Sequence, residues 1–404
     1  MTRLWEKPGA VPLDERVLRY TAGEDHRLDA RLVPHDVRAS IAHAEMLGEC
    51  GLLDAADVVA IRSGLEALAA GHAAGEWQIE LADEDVHTAL ESRLTARIGE
   101  AGARLHLARS RNDQVLAALR LYLRDEVAAL AAAAEGAAGA LDDLAARESA
   151  TPLAGYTHMQ PAMPSSVPLW AGGFAAALRD DAAGLAACLR RIDQNPLGSA
   201  AGYGVPLLPI DREATRRRLG FAVVQEPVTA VQLSRGKAEA QVLFEVALTL
   251  QDLGRLAADL VLWSSQEFGF VTLPEAMTTG SSIMPQKRNP DVFELVRGRT
   301  ATALGCLTEA LAITAKLPSG YHRDLQLLKA PLFRGLDLAH DTLAIMTAAL
   351  AGVGFRRERI RLPPEIHAAE RAYRLVVEKG LPFRDAYRQV AEELRQGPEK
   401  ASGD

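Results

Sequence analysis

Apolar side chains recur at steps of three and four along one stretch of the chain: Leu116, Leu119, Leu123, Val127, Leu130, Ala134, Ala137, Leu141 and Leu144. Such steps keep one face of an α-helix apolar, so the pattern predicts a single uninterrupted helix. It ends near the polar Arg147, Glu148 and Ser149 and the helix-breaking Pro152, a length of roughly 50 Å. A second stripe runs through Leu243, Val246, Leu250, Leu253, Ala257 and Leu260 to Ser264, and weaker ones cover 174–192, 292–317 and 336–350. Residues 1–108 read as shorter helices, at 36–50, 55–70 and 85–98, joined by loops. Beyond residue 354 the chain is charged, with one further amphipathic helix at 383–394, and 397–404 read as a frayed end. No alternating strand run of any length competes, so the expected class is all-α: a long central helical bundle with smaller helical domains at each end. The expected boundaries are 1–108, 109–353 and 354–404.

Between the long helices lie polar, glycine-rich segments: GYTHMQPAMPSS at 155–166, NPLGSAAGYGVPLLP at 195–209 and TTGSSIMPQKRNP at 278–290. Helix ends would therefore carry the chemistry. Several long helices also present more apolar surface than one chain can easily cover, so bundling between subunits is expected.

Composition narrows the picture. Of 404 residues, 48% are hydrophobic but only 5% aromatic, so packing relies on small and aliphatic side chains. A net charge of −8 argues against a nucleic-acid partner, and the one tight basic run, Arg216 to Arg218, reads as a solvated helix face. Cys50, Cys188 and Cys306 are widely spaced and odd in number, which fits free thiols in a reducing compartment. The first fifteen residues lack an apolar leader core, and no apolar run reaches bilayer length. A soluble cytoplasmic protein with no membrane partner is expected.

Three segments could hold chemistry. In GSSIMPQKRNP, Gly280 allows a tight turn that carries Ser281 and Ser282, Lys287 and Asn289 add a cation and an amide, and Pro290 and Asp291 open a helix whose N-terminus favours nearby negative charge. It also reads as an ordinary Ser/Gly/Pro loop before a helix. GYTHMQPAMPSS places Thr157 and His158 between helices, although a lone histidine is most often structural. RSRNDQV, at 109–115, crowds two arginines, a serine and an asparagine at the start of the longest helix. Capping by Asn112 or Asp113 explains only one of them. Asp85, His87 and Glu91 share two turns of one helix, but no second cluster completes a metal shell, and no metal site is expected.

Taken in order, ADEDVHTALESRL, RSRNDQV, GYTHMQPA, NPLGSAAGYG, GSSIMPQKRNPD and SGYHRDLQLLK resemble the fumarase/aspartase superfamily and, within it, the argininosuccinate lyase family. The likeness spans about residues 16–395. It implies β-elimination of the small molecule argininosuccinate to arginine and fumarate, with no cofactor, in a homotetramer whose active sites draw on several subunits. Position by position, it implies Ser281 as the base and Lys287 and Asn289 as stabilisers of the intermediate. Thr157 and His158 would serve the leaving nitrogen, with Glu294 orienting His158. Ser110, Arg111 and Asn112 would hold the succinyl carboxylates, and Tyr321, Gln326 and Lys329 the more distant part of the substrate.

Four features depart from the family pattern. Leu107 and Ala108 stand where a threonine and a glycine are usual, and Gly23-Glu24-Asp25 where a substrate-binding serine is usual. QLSRGKAE, at 232–239, replaces an acidic SDRD run, and the C-terminal domain is short. Two other readings stand beside this one: a lyase for another N-substituted aspartate, and a non-catalytic structural paralogue.

Overall fold

A computed structural model describes residues 14–396; the frayed end expected at 397–404 and most of the N-terminal stretch lie outside the described residues. The chain is all-α. The predicted long helix runs Arg111–Arg147, 37 residues, or about 55 Å. Its nine stripe residues are all buried, none more than 3% exposed, so the periodicity marks a true core face. The second stripe becomes Lys237–Ser264. The weaker ones become Val167–Ala187, Asp291–Thr314 and Lys329–Leu350, with Leu189–Ile192 a separate short helix. The early helices are Val33–Glu49, Ala55–Ala73 and Val86–Ile98. Asp85 caps the last of these, accepting from Thr88 N at 2.9 Å.

The described chain forms two compact units. One takes residues up to 132, 181–248 and 300–340; the other takes 133–180, 249–299 and 341 onward. In the first, Ala39, Ala42, Ala117, Leu121, Leu197, Leu219 and Phe221 form one buried cluster. Its many alanines let helices approach closely, as the low aromatic content requires. In the second, Trp170, Trp263 and Phe355 meet with ring centroids 4.9–6.2 Å apart. Trp170 Nε1 donates to Asp259 at 2.9 Å.

Several elements among the described residues escaped the periodicity. Residues Pro152–Thr157 and Gln160–Ser166 pair as an antiparallel hairpin where a loop was expected. Prolines 152, 161 and 164 disguise it, yet a two-stranded ribbon tolerates proline wherever the N–H would face outward. Helix Arg212–Leu219 is capped by Asp211 and closed by left-handed Gly220. Its arginine run is paired rather than merely solvated: Arg216 meets Glu213 at 2.6 Å, and Arg218 meets Glu45 and Glu49. Helix Ala368–Lys379 packs Ala372 against Ala386 and Val390 of Phe383–Gln396. Alanines make its apolar stripe faint. All three cysteines are free, and among the described residues no helix is long and apolar enough to cross a membrane.

Candidate active site

The start of the longest helix is built by reciprocal capping. The helix begins at Arg111, so Ser110 is the cap: its Oγ accepts from Asn112 N at 3.3 Å, and Asp113 Oδ1 accepts from Ser110 N at 3.0 Å. Asp113 is thus the return partner and neither Asn112 nor Asp113 the cap itself. The other Asp113 oxygen accepts from Gly198 N at 3.0 Å and Ala200 N at 2.8 Å, tying the 195–209 loop to the helix start. Burial pushes the Asp113 carboxyl up to about 6, against the pull of these three amides. With Ser110 and Asp113 occupied in holding the turn, Arg111 and Asn112 are left to face a cavity.

That cavity, about 200 Å³ in the first unit, is lined by Arg111, Asn112, Tyr321, Gln326 and Lys329. Five of the six residues expected to hold the substrate therefore converge from segments up to more than two hundred residues apart. Lys329 is fully embedded, its Nζ 2.6 Å from Asp29 Oδ1 and 2.8 Å from Asp25 Oδ2. Burial opposes its charge, but the two carboxylates outweigh it and hold the ammonium above its ordinary value. Burial, aided by Asp29 and Asp85, pushes Asp25 up to about 6 despite Lys329: two buried carboxyls share one cation. Gln326 Nε2 donates to Thr21 O at 2.9 Å, and Arg111 reaches Asp85 at 3.3 Å and Thr88 Oγ1 at 3.1 Å.

Asp25, Asp85, His87, Arg235 and Arg323 also line the cavity, and sequence reasoning did not place them there. His87 Nδ1 lies 2.8 Å from Asp36 Oδ2, both buried. Burial lowers the imidazole's pKa, but Asp36, Asp85 and Asp29 outweigh that and hold it above its ordinary value. Its Nε2 is buried without a partner. Asp36 also accepts from Gln114 Nε2 at 3.0 Å; although burial opposes it, His87 and these donors keep its carboxyl below the usual range. The trio Asp85, His87 and Glu91 is thereby split up: Asp85 caps, His87 meets Asp36, and Glu91 meets His106 at 3.0 Å.

The remaining expected residues lie in the second unit. Thr157 and Gln160 close the hairpin around a two-residue turn, His158 and Met159, with φ of 53° and 60°. Positive φ at both positions is what a tight hairpin between right-twisted strands demands, and it thrusts His158 into solvent. A second hairpin pairs Thr279–Gly280 with Arg288–Asn289. The loop it closes presents Ser281, whose Oγ accepts from Met284 N at 3.2 Å and Ile283 N at 3.4 Å. Asn289 Nδ2 donates to Gly280 O at 3.4 Å, so Asn289 braces the base of the loop. Lys287 is exposed just before the returning strand, and Glu294 is exposed on the first turns of Asp291–Thr314. Within the described chain no hydrogen bond joins His158 to Glu294.

Residues 12–305 match a family model described as lyase. The chain is 50% identical over 398 residues to an argininosuccinate lyase of Sorangium cellulosum, covering 98% of this chain and 91% of that one. Among solved structures, an EDDS lyase in complex with formate superposes with a TM-score of 0.80 at 25% identity, over 96% of this chain and 78% of its own. A class II fumarase of Schistosoma mansoni gives 0.79 at 19% identity, over 95% and 91%, a likeness of fold alone. The chain therefore belongs to the lyase family of the fumarase/aspartase superfamily, among the argininosuccinate lyases.

Proposed function

We propose that this lyase cleaves argininosuccinate to arginine and fumarate as a step of arginine biosynthesis, in the cytoplasm. The observation that carries the reading is 50% identity, over 98% of the chain, with a relative of that name, joined to a cavity where Arg111, Asn112, Tyr321, Gln326 and Lys329 meet. In the proposed reaction, Ser281 Oγ removes a proton from the succinyl carbon beside a carboxylate. The electron pair moves into that carboxylate, which Lys287 and Asn289 stabilise. It then returns to form the carbon–carbon double bond as the carbon–nitrogen bond breaks. The nitrogen leaves with the bond's electrons and takes a proton from the Thr157–His158 side. Amides aimed at Ser281 Oγ favour its anion, which a serine base needs. Ser110, Arg111 and Asn112 hold the carboxylates, and Glu294 orients His158. The chemistry as proposed calls for no metal, nucleotide or pyridoxal group.

The proposed assembly is a homotetramer with sites shared between subunits, each chain divided into 1–108, 109–353 and 354–404. Its support is what one chain leaves uncovered. His158, Lys287 and Glu294 are exposed. So are Leu304 and Leu311, one heptad apart on one helix, and Phe244 and Leu248, four apart on another. The deciding assay is absorbance of released fumarate, with argininosuccinate and other N-substituted aspartates supplied in turn. Turnover of argininosuccinate alone supports the reading, and preference for another aspartate overturns it.

A further inference from the structure

We propose that Arg235 is a further substrate-binding residue, its guanidinium holding a carboxylate of the molecule that occupies the cavity. The inference rests on the reading that this cavity takes substrate. Arg235 lines it together with Arg111 and Asn112, and its side chain is only 2% exposed. Yet Nε and Nη1 are buried with no hydrogen-bond partner. The nearest acid does not satisfy them: Glu239 Oε1 is 4.0 Å from Nε, beyond hydrogen-bond reach, and Glu239 Oε2 accepts from Gly236 N at 2.8 Å.

The surroundings make an anion the fitting occupant. Arg120 is also buried close by and directs its two terminal nitrogens elsewhere, to Gln194 O at 2.6 Å and Ser234 Oγ at 2.9 Å, while its Nε has no partner. Burial, with Arg235 adding to it, pushes the Arg120 guanidinium down to about 10. Two guanidiniums thus share one carboxylate, leaving buried positive charge in excess. The other basic groups lining the cavity are held by acids: Lys329 by Asp25 and Asp29, Arg111 by Asp85, Arg323 by Glu84 at 3.7 Å and also by Thr21 O at 2.8 Å, and His87 by Asp36 through Nδ1, its Nε2 alone lacking a partner. Unsatisfied buried donors are rare because they forfeit hydration without return. A planar carboxylate is the group a guanidinium fork satisfies with two hydrogen bonds.

Argininosuccinate offers two sources of that carboxylate, the succinyl half and the amino-acid end. Calorimetric titration of full-length wild type, Arg235→Gln and Arg235→Lys with fumarate, arginine and agmatine separates them. Agmatine is arginine without its carboxylate. A succinyl contact weakens fumarate by about ten- to a hundredfold in the glutamine variant, the range of one to two charge-assisted hydrogen bonds. An amino-acid contact weakens arginine by that factor and leaves agmatine unchanged. In either case Arg235→Lys recovers part of the loss. Unchanged binding of both fumarate and arginine in Arg235→Gln overturns the inference, as does a wild type that binds neither. If the glutamine variant fails to fold, Arg235→Lys decides by the same titration, with unchanged affinities counting against. A wild type that binds fumarate through Arg235 yet releases none from argininosuccinate overturns the proposed reaction and not this inference.

Discussion

Lys329 Nζ and Asp29 Oδ1 stand 2.6 Å apart, a buried ion pair closed across 300 residues of chain. With Asp25 completing the triad, the lysine expected to touch substrate is also a strut of the first unit. Removing one partner of a buried pair strands the other, at a cost of about 3–5 kcal/mol. Lys329→Met should lower the free energy of unfolding in urea by that order, alongside any loss of substrate binding. A loss under about 0.5 kcal/mol, the range of ordinary surface changes, would mean the triad does not support the fold.

Ser281→Ala should fold normally, bind substrate and turn over about 10²–10⁴-fold more slowly, the range for losing a positioned base. Its hydroxyl accepts only two long amide hydrogen bonds, so little stability depends on it. Single-turnover kinetics at saturating argininosuccinate check this. Turnover within a few-fold of wild type would rule Ser281 out as the base.

Ala108 sits at φ 59°, in the left-handed region that disfavours a side chain, by about 1–2 kcal/mol. Ala108→Gly relieves that strain but loosens the unfolded chain, at a cost of about 0.4–1 kcal/mol. The net expectation is a gain of about 0.5–1 kcal/mol in thermal or urea unfolding. Lower stability than wild type would show that the backbone there is not strained as described.

The pH dependence of stability carries a signature of Asp113. Its folded pKa, about 6, exceeds the unfolded value of about 3.9. The folded state therefore binds the extra proton between these limits. The stabilisation is fully present below pH ~4 and is lost as pH rises through ~6, on the order of 3 kcal/mol in all. Asp113→Asn should flatten the fall in stability across pH 4–6 relative to wild type. An unaltered slope across that window would contradict the burial-driven shift.

Shared sites predict complementation. His158→Asn and Ser281→Ala, each inactive alone, should regain activity when unfolded together and refolded. With equal amounts, random mixing and the two residues supplied by different chains, about a quarter of sites receive both intact. Each variant refolded alone is the control. Mixed tetramers verified by mass, but no more active than either parent, would mean each site is built from one chain.

The sequence by itself determined the long helices, because their periodicity is written locally, and it pointed to the reaction class through the resemblance of its ordered motifs to a known family. A step of three or four residues fixes one helix face without reference to the rest of the chain, and the nine buried positions from Leu116 to Leu144 follow from it. A motif such as GSSIMPQKRNP packs a hydroxyl, a cation, an amide and a helix start into eleven residues. Only the tertiary structure decided what depends on closure between distant segments. Asp25 and Asp29 read as ordinary acids until Lys329 arrives between them, and Arg235 reads as one arginine in a turn until the fold buries it against a cavity. The hairpin at 152–166 stayed hidden for a related reason. Its prolines are poor strand formers, and pairing between the two arms, rather than local propensity, makes it a ribbon that lifts His158 into solvent.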